Sequence, residues 1–232
     1  MNVTRALIAF AVLLGASAVL SMRAKAARKP SATLITEQGK PMSTPKTPSA
    51  VPAADPRSNA VAALAAKYVI PPNLAGALYD VALSLGADPE HLGDVIKFES
   101  GGTWTSNVRN PSSGATGLIQ FMPSTARRMG TTVEALAAMT PEAQLRGPVR
   151  EYMRRVRDGE WYDGSSFAPT AGRPYPAGPL NTFQAVAASV FFPALRYVSP
   201  STPLPAWAAS ANAGINTMSD YLAKVRAFRG RR

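Results

Sequence analysis

Glu99 stands at the end of an expected helix and is followed at once by Ser100-Gly101-Gly102. Some fifteen residues later comes Ser113-Gly114-Ala115-Thr116-Gly117-Leu118-Ile119-Gln120-Phe121. A carboxyl group at a helix C-terminus feels the negative end of the helix dipole, which disfavours ionisation and raises its pKa. Partial burial raises it further. A carboxylic acid that keeps its proton near neutral pH can donate it to a glycosidic oxygen. A lone Glu-Ser-Gly is otherwise an ordinary solvated residue before a C-capping glycine. It is the second glycine-rich segment that turns Glu99 into a candidate. Between Ser100 and Val133 there is no Asp or Glu, so the Gly-Ala-Thr-Gly-Leu-Ile-Gln segment supplies no second carboxylate. Glycosidases that use water usually place two carboxyl groups about the scissile bond. Asp158, Asp163 and Asp220 are the acids that folding could still bring close, which leaves a two-carboxylate, water-using mechanism open.

The elements that must position Glu99 are mainly helical. Asp88-Pro89 is a strong helix start, an N-cap acid with proline at the first helical position. Leu92, Val95, Ile96 and Phe98 follow at mostly helical spacing, and Gly101-Gly102 ends the helix. Before it, Asn59 is expected to cap Ala60 to Val69, and Pro72 to open a helix to Leu85, stopped by Gly86. After it, Trp104 to Thr116 reads as a short hairpin or irregular loop and Pro123 to Met129 as a short helix. Thr131 or Thr132 caps a helix through Met139, and Thr140-Pro141 opens a long one to about Val156. Asp158 to Pro179 reads as a long Gly/Pro-rich loop. Thr182 to Leu195 is apolar all round and reads as a buried helix, and Thr217 opens the last helix, to Phe228.

The N-terminus is different. Ala6 to Met22 is an uncharged apolar run, flanked by Arg5 and by Arg23, Lys25, Arg28 and Lys29. It is just long enough for a short membrane span of about 17–25 residues. A secretory signal, cleaved after Ala18 or Ala26, competes with an uncleaved anchor. The anchor is preferred because the run continues past Ala18 and the heavier basic flank follows it. Ala27 to Arg57 is rich in Pro, Ser, Thr, Ala and Lys and reads as a flexible linker. The expected organisation is thus an anchor or signal over 1–26, a linker over 27–57 and one domain over 58–232.

Composition narrows the chemistry. There are no cysteines, so disulfides and thiolate metal sites are excluded, and no metal or cofactor is expected. The single histidine, His91, reads as a solvated or capping residue. The net charge of +11 favours an anionic partner. Arg146, Arg150, Arg154 and Arg157 form a helical stripe, for which a solvated face is the simplest reading. No nucleic-acid motif accompanies the charge, so nucleic acid is not the expected partner. Trp104, Trp161 and Tyr162 are candidates for stacking on sugar faces, with core packing at least as good a reading. Phe121, Phe183, Phe191 and Phe192 read as core.

Glu99-Ser100-Gly101-Gly102, together with the segment from Asn110 through Ala126, resembles the soluble-lytic-transglycosylase-like domain in its bacteriophage variants. The similarity runs on through Gly130-Thr131-Thr132, Leu136, Met139, Gln144-Leu145, Val149 and Tyr152. It resumes more weakly at Ser210-Ala211-Asn212-Ala213-Gly214-Ile215, so it covers about Ala75 to Arg226. The resemblance implies a mainly α, lysozyme-like fold and action on peptidoglycan glycan strands, with Glu99 the single catalytic acid/base. It implies substrate contacts for Ser100 beside the reacting sugar, for Gly117 through close backbone approach, for Gln120 pointing into the cleft, and for Asn212. Ala211 stands where the family usually has tyrosine, so that tyrosine's contact is either missing or supplied from elsewhere. A one-carboxylate reaction yielding a 1,6-anhydro sugar follows from the resemblance. So does a setting in a phage particle, with other virion or envelope proteins as partners and the membrane as anchor. A bacterial envelope transglycosylase is the nearest alternative. A non-catalytic structural or wall-binding virion protein is the alternative of another class, and a DNA-binding membrane protein rests on charge alone.

Overall fold

In the computed structural model, residues 55–161 and 176–230 are described, and they belong to one compact unit. The apolar run over 6–22 and the linker before residue 55 lie outside the described residues, as do Tyr162 and Asp163. Among the described residues no single helix is long and apolar enough to cross a membrane.

The architecture is mainly helical, with isolated β-bridges but no strand among the described residues. The first helix, α1, is Pro56–Tyr68, not Ala60 onward. Asp55 rather than Asn59 caps it, through a hydrogen bond from Arg57 N, and proline occupies its first position. The Arg57 guanidinium then reaches α2 (Pro72–Ser84) and forms a bidentate pair with Asp80. Two helices packed at 114° make the first corner of the fold. α2 buries Leu74, Leu78 and Val81 on one side, with Ala75, Ala77 and Ala82 allowing close helix approach.

α3 (Pro89–Glu99) begins where Asp88-Pro89 predicts, with the Asp88 carboxylate accepting from Glu90 N. It packs against α2 and against two later helices, α8 (Phe183–Phe191) and α10 (Met218–Arg229). Leu92, Val95 and Ile96 are fully buried. Gly93 is required by contact: a Cβ there would lie 2.5 Å from the Tyr68 ring. That close approach lets Tyr68 donate to Asp94 Oδ1 at 3.0 Å and sit against Glu90 O. Asp94 is buried, and its other oxygen accepts from Arg229 Nε at 2.8 Å. One carboxylate thus ties α1, α3 and the last helix together.

α4 (Pro123–Arg128) and α5 (Val133–Ala137) are short, the latter capped by Thr132. The long helix expected from Thr140-Pro141 is present but not uniform. α6 (Pro141–Gln144) passes into a π-helical turn (Leu145–Val149) and then α7 (Arg150–Arg157). Pro148 lies inside that turn. A proline lacks the N–H for an α-helical bond and its ring crowds the preceding turn, and the wider π turn absorbs both faults without stopping the helix.

α8 (Phe183–Phe191) is buried from Ala185 to Phe191, as its apolar circumference predicts. Pro193 ends it earlier than expected and opens a 3₁₀ turn (Pro193–Leu195). α9 (Ala206–Ala211) is short and without a sequence-level start signal. α10 (Met218–Arg229) opens with a capping box between Thr217 and Asp220 and buries Met218, Tyr221, Leu222 and Val225 at helical spacing. Three of the four arginines of the stripe are ion-paired at the surface, and Arg150 is exposed. Arg146 pairs with Asp80, Arg154 with Glu151, Asp158 and Glu160, and Arg157 with Asp158. Most of the excess positive charge in the sequence lies outside the described residues.

Candidate active site

Glu99 is the last residue of α3, and the chain turns sharply beyond it. Gly102 N bonds Lys97 O at 2.7 Å and Gly101 N bonds Phe98 O at 3.1 Å, with both glycines at positive φ. This left-handed exit satisfies the last helical carbonyls and is open to glycine at little cost. Ser100 is fully buried, and its Oγ accepts from Trp104 N at 3.2 Å. The serine therefore latches the turn that follows Glu99. Trp104 itself has φ 54, and its ring packs on Tyr68 with centroids 5.1 Å apart.

The Glu99 side chain is buried, and Tyr221 of α10 donates to its Oε1 at 2.5 Å. Oε2 is buried with no partner among the described residues. Burial pushes the carboxyl up to about 8, against the pull of the Tyr221 hydrogen bond, which favours the ionised form. The tyrosine is driven well above its usual range by the same burial and by the neighbouring carboxylate. Burial is thus the reason that Glu99 holds its proton at neutral pH. The Tyr221 ring stacks on Phe191 with centroids 4.2 Å apart and meets Phe98 edge-on at 5.6 Å. These apolar walls both desolvate the carboxyl and aim the tyrosine hydroxyl at it.

Among the described residues no second carboxylate hydrogen-bonds with Glu99 or shares an ion-pair partner with it. Asp94 is buried on the same helix, but five residues away it projects about 140° round the axis and ~7.5 Å along it, and it is engaged by Arg229 and Tyr68. Asp158 is held low by Arg157 and Arg154. Asp220 is held low by the backbone N–H groups of Asn216 and Thr217 and the Thr217 hydroxyl, within its capping box.

The second glycine-rich segment is a tight reversal. Thr116 and Phe121 exchange both backbone bonds, at 3.0 and 2.8 Å, leaving Gly117-Leu118-Ile119-Gln120 at the tip. Gly117 has φ 89, and a Cβ there would lie 2.4 Å from the Gln144 side chain. Only glycine satisfies both demands. Gln144, fully buried, accepts from Leu118 N at 2.7 Å and donates to Ser106 O and Leu136 O. Gln120 also has positive φ, and its amide donates to Gly117 O at 3.0 Å and to Val108 O at 3.4 Å. The amide is thus directed at the loop's own carbonyls. Asn110 opens the segment by accepting from Ser112 N and Ser113 N.

Asn212 follows α9, with its Nδ2 donating to Ala208 O at 2.8 Å and its Oδ1 buried without a partner among the described residues. No hydrogen bond joins Glu99 to Ser100, Gln120 or Asn212 among the described residues. Sequence reasoning missed the two residues with the most specific contacts, Tyr221 and Gln144. Tyr221 lies on the apolar face of α10 among ordinary core positions, so its pattern gives no sign of a polar partner 122 residues away. Gln144 carries a usable signal, being a glutamine on the inward side of a helix whose neighbours Leu145 and Val149 are apolar.

The aromatic candidates separate cleanly. Trp104 and Trp161 are core residues, with Trp161 edge-on to Tyr152 at 5.0 Å. Phe121, Phe191 and Phe192 are buried, as expected, and Phe183 is partly buried against the core. His91 is half-buried and packs on Phe183 with centroids 5.5 Å apart, so it is a packing residue rather than a solvated one. No family model, no curated protein and no solved structure matches the chain.

Proposed function

We propose that this protein is a peptidoglycan lytic transglycosylase with a lysozyme-like domain, cleaving the β-1,4 bond between N-acetylmuramic acid and N-acetylglucosamine with Glu99 as its single acid/base. The observation that carries the reading is the state of Glu99, a buried carboxyl with its pKa pushed up to about 8 and one oxygen without a partner among the described residues. The double-glycine turn directly after Glu99 and the second glycine-rich reversal that follows add the resemblance in sequence.

The reaction we propose joins that side chain to the one-carboxylate route that the resemblance implies. Neutral Glu99 carries its proton on Oε2, because Oε1 already accepts from Tyr221. Oε2 is buried in this structure, so the strand must displace what covers it; Oε2–H then protonates the glycosidic oxygen as the bond from C1 breaks, and the substrate's own N-acetyl oxygen stabilises the cationic C1. Glu99 is then a carboxylate, and the Tyr221 hydroxyl offsets the cost of that buried charge. The carboxylate takes the proton of the muramoyl C6 hydroxyl as that oxygen attacks C1. A 1,6-anhydro ring forms, the N-acetyl group is released, Glu99 is again neutral, and no water is consumed.

The setting we propose is a phage particle that opens the cell wall locally during genome delivery. The apolar run over 6–22 would be its membrane anchor and 27–57 the tether through which the domain reaches the periplasmic wall, beside other virion or envelope proteins. Mass spectrometry of muropeptides released by the purified protein tests the chemistry. Anhydro products are expected. Reducing-end products would assign a hydrolytic lysozyme, and the absence of cleavage would overturn the enzymatic reading.

A further inference from the structure

The chain has three tryptophans. Trp104 and Trp161 are each 5% exposed, whereas Trp207 is 38% exposed. Trp207 stands on α9, whose sequence Ala-Trp-Ala-Ala-Ser-Ala places no other large side chain beside it. Single exposed apolar residues are common on protein surfaces and need no special role. Trp207 differs from such a residue in how it is held and what it is held to. Its ring meets buried Phe192 edge-on at 5.9 Å, so the indole is braced from one side while retaining solvent contact. Phe192 follows Phe191, which stacks on Tyr221 at an interplanar angle of 10°, and Tyr221 holds Glu99. The exposed indole and the candidate catalytic carboxyl are therefore fastened to one aromatic layer between α8 and α10. With successive Cα atoms 3.8 Å apart and ring contacts of 5.9 and 4.2 Å, these links span no more than about 30 Å, the reach of a short run of sugar rings. α9 itself carries no charged side chain.

We infer that Trp207 is an aromatic platform on which a pyranose ring of the glycan strand stacks, at a subsite away from the bond that is cut. The inference rests on the transglycosylase reading above and adds a specificity-determining residue to it. An indole face offers a broad, rigid, electron-rich surface, and ordering it costs little because only two torsions are involved. The face of a β-1,4-linked N-acetylhexosamine that presents C–H groups is neutral and apolar, which suits an aromatic platform with no charge on its helix. Binding at such a distance positions the strand without touching the reacting atoms, so its loss weakens binding more than turnover.

The test uses full-length protein carrying Glu99→Gln, titrated with the β-1,4-linked tetramer of N-acetylglucosamine while tryptophan emission is followed. A saturable change in emission is expected, lost when Trp207→Ala is added and partly kept with Trp207→Phe. In the otherwise native chain, Trp207→Ala should raise KM for soluble glycan strands about tenfold with a much smaller effect on kcat, and the pH profile should keep its shape. An emission change that persists without Trp207, or an unaltered KM in Trp207→Ala protein that still cleaves, overturns the platform and leaves the catalytic reading standing. Native protein that neither cleaves wall nor binds the tetramer overturns both.

Discussion

Replacing Glu99 by glutamine should do two opposite things, and the second is the more telling. Cleavage should be lost, because an amide cannot deliver and recover the proton. Stability should rise, by an amount that depends on pH. The folded protein holds Glu99 at about 8, against 4.5 for an ordinary glutamate. A carboxyl whose folded pKa is raised supports folding fully below the unfolded value, and that support is lost as pH rises through the folded value. The native chain therefore loses about 1.4 kcal/mol per pH unit between these limits. That amounts to about 3 kcal/mol at pH 7 and about 5 kcal/mol above pH 8. Glutamine resembles the neutral acid: its oxygen can accept from Tyr221, and its nitrogen takes the place of the protonated Oε2, which likewise has no partner among the described residues. The two proteins should thus be nearly equal in stability at pH 4.5, with the variant ahead by about 3 kcal/mol at pH 7. For a domain of this size that corresponds to roughly 6–12 °C in Tm. Denaturant unfolding of both proteins at several pH values between 4.5 and 9 measures the gap directly. A gap that stays constant across that range would show that Glu99 titrates as an ordinary surface glutamate and would falsify the argument that burial arms it as an acid.

Tyr221→Phe removes a donor that favours ionised Glu99, so the alkaline limb of the activity profile should move above about 8. The rate should fall roughly ten- to a hundredfold, as for a hydrogen bond to a charged group, and an unmoved limb would reduce Tyr221 to a packing residue. Gln144→Leu strands Leu118 N and the carbonyls of Ser106 and Leu136 in the interior, and should cost about 2–4 kcal/mol; a loss well under 1 kcal/mol in urea unfolding would show that the loop finds other partners. Protein truncated to residues 55–232 should unfold at higher temperature than protein beginning at Ala60, which lacks the Asp55 cap and the Arg57–Asp80 pair; equal melting curves would deny α1 its expected role. N-terminal sequencing of protein from its native source should find Met1 or Asn2 in the membrane fraction, and a chain beginning after Ala18 or Ala26 would replace the anchor with a cleaved signal.

Local chemistry in the sequence determined much of this protein. Asp88-Pro89 set the start of α3, Thr217 with Asp220 the start of α10, and Gly101-Gly102 the turn after Glu99, because each signal acts within a few residues on the backbone it sits in. The apolar circumference of α8 likewise announced a buried helix, since no face of it could meet water without loss. Where signals were weak or conflicted, the reading slipped. Asp55 outcompeted Asn59 as the first cap because Pro56 supplies a preset helical φ beside it. The helix expected to run unbroken from Thr140-Pro141 to Val156 overlooked Pro148, which a π turn accommodates. What the sequence could not reveal is everything that depends on distant segments meeting. The lone carboxylate at Glu99 was legible, yet its raised pKa depends on burial against Phe98, Phe191 and Tyr221, contributed by three helices. The glycine at 117 was legible as a turn, but the reason no other residue fits is a glutamine 27 positions later in the chain. Which tryptophan would stay at the surface was equally a matter of packing, decided by where α8 and α9 came to rest rather than by anything adjacent to Trp207.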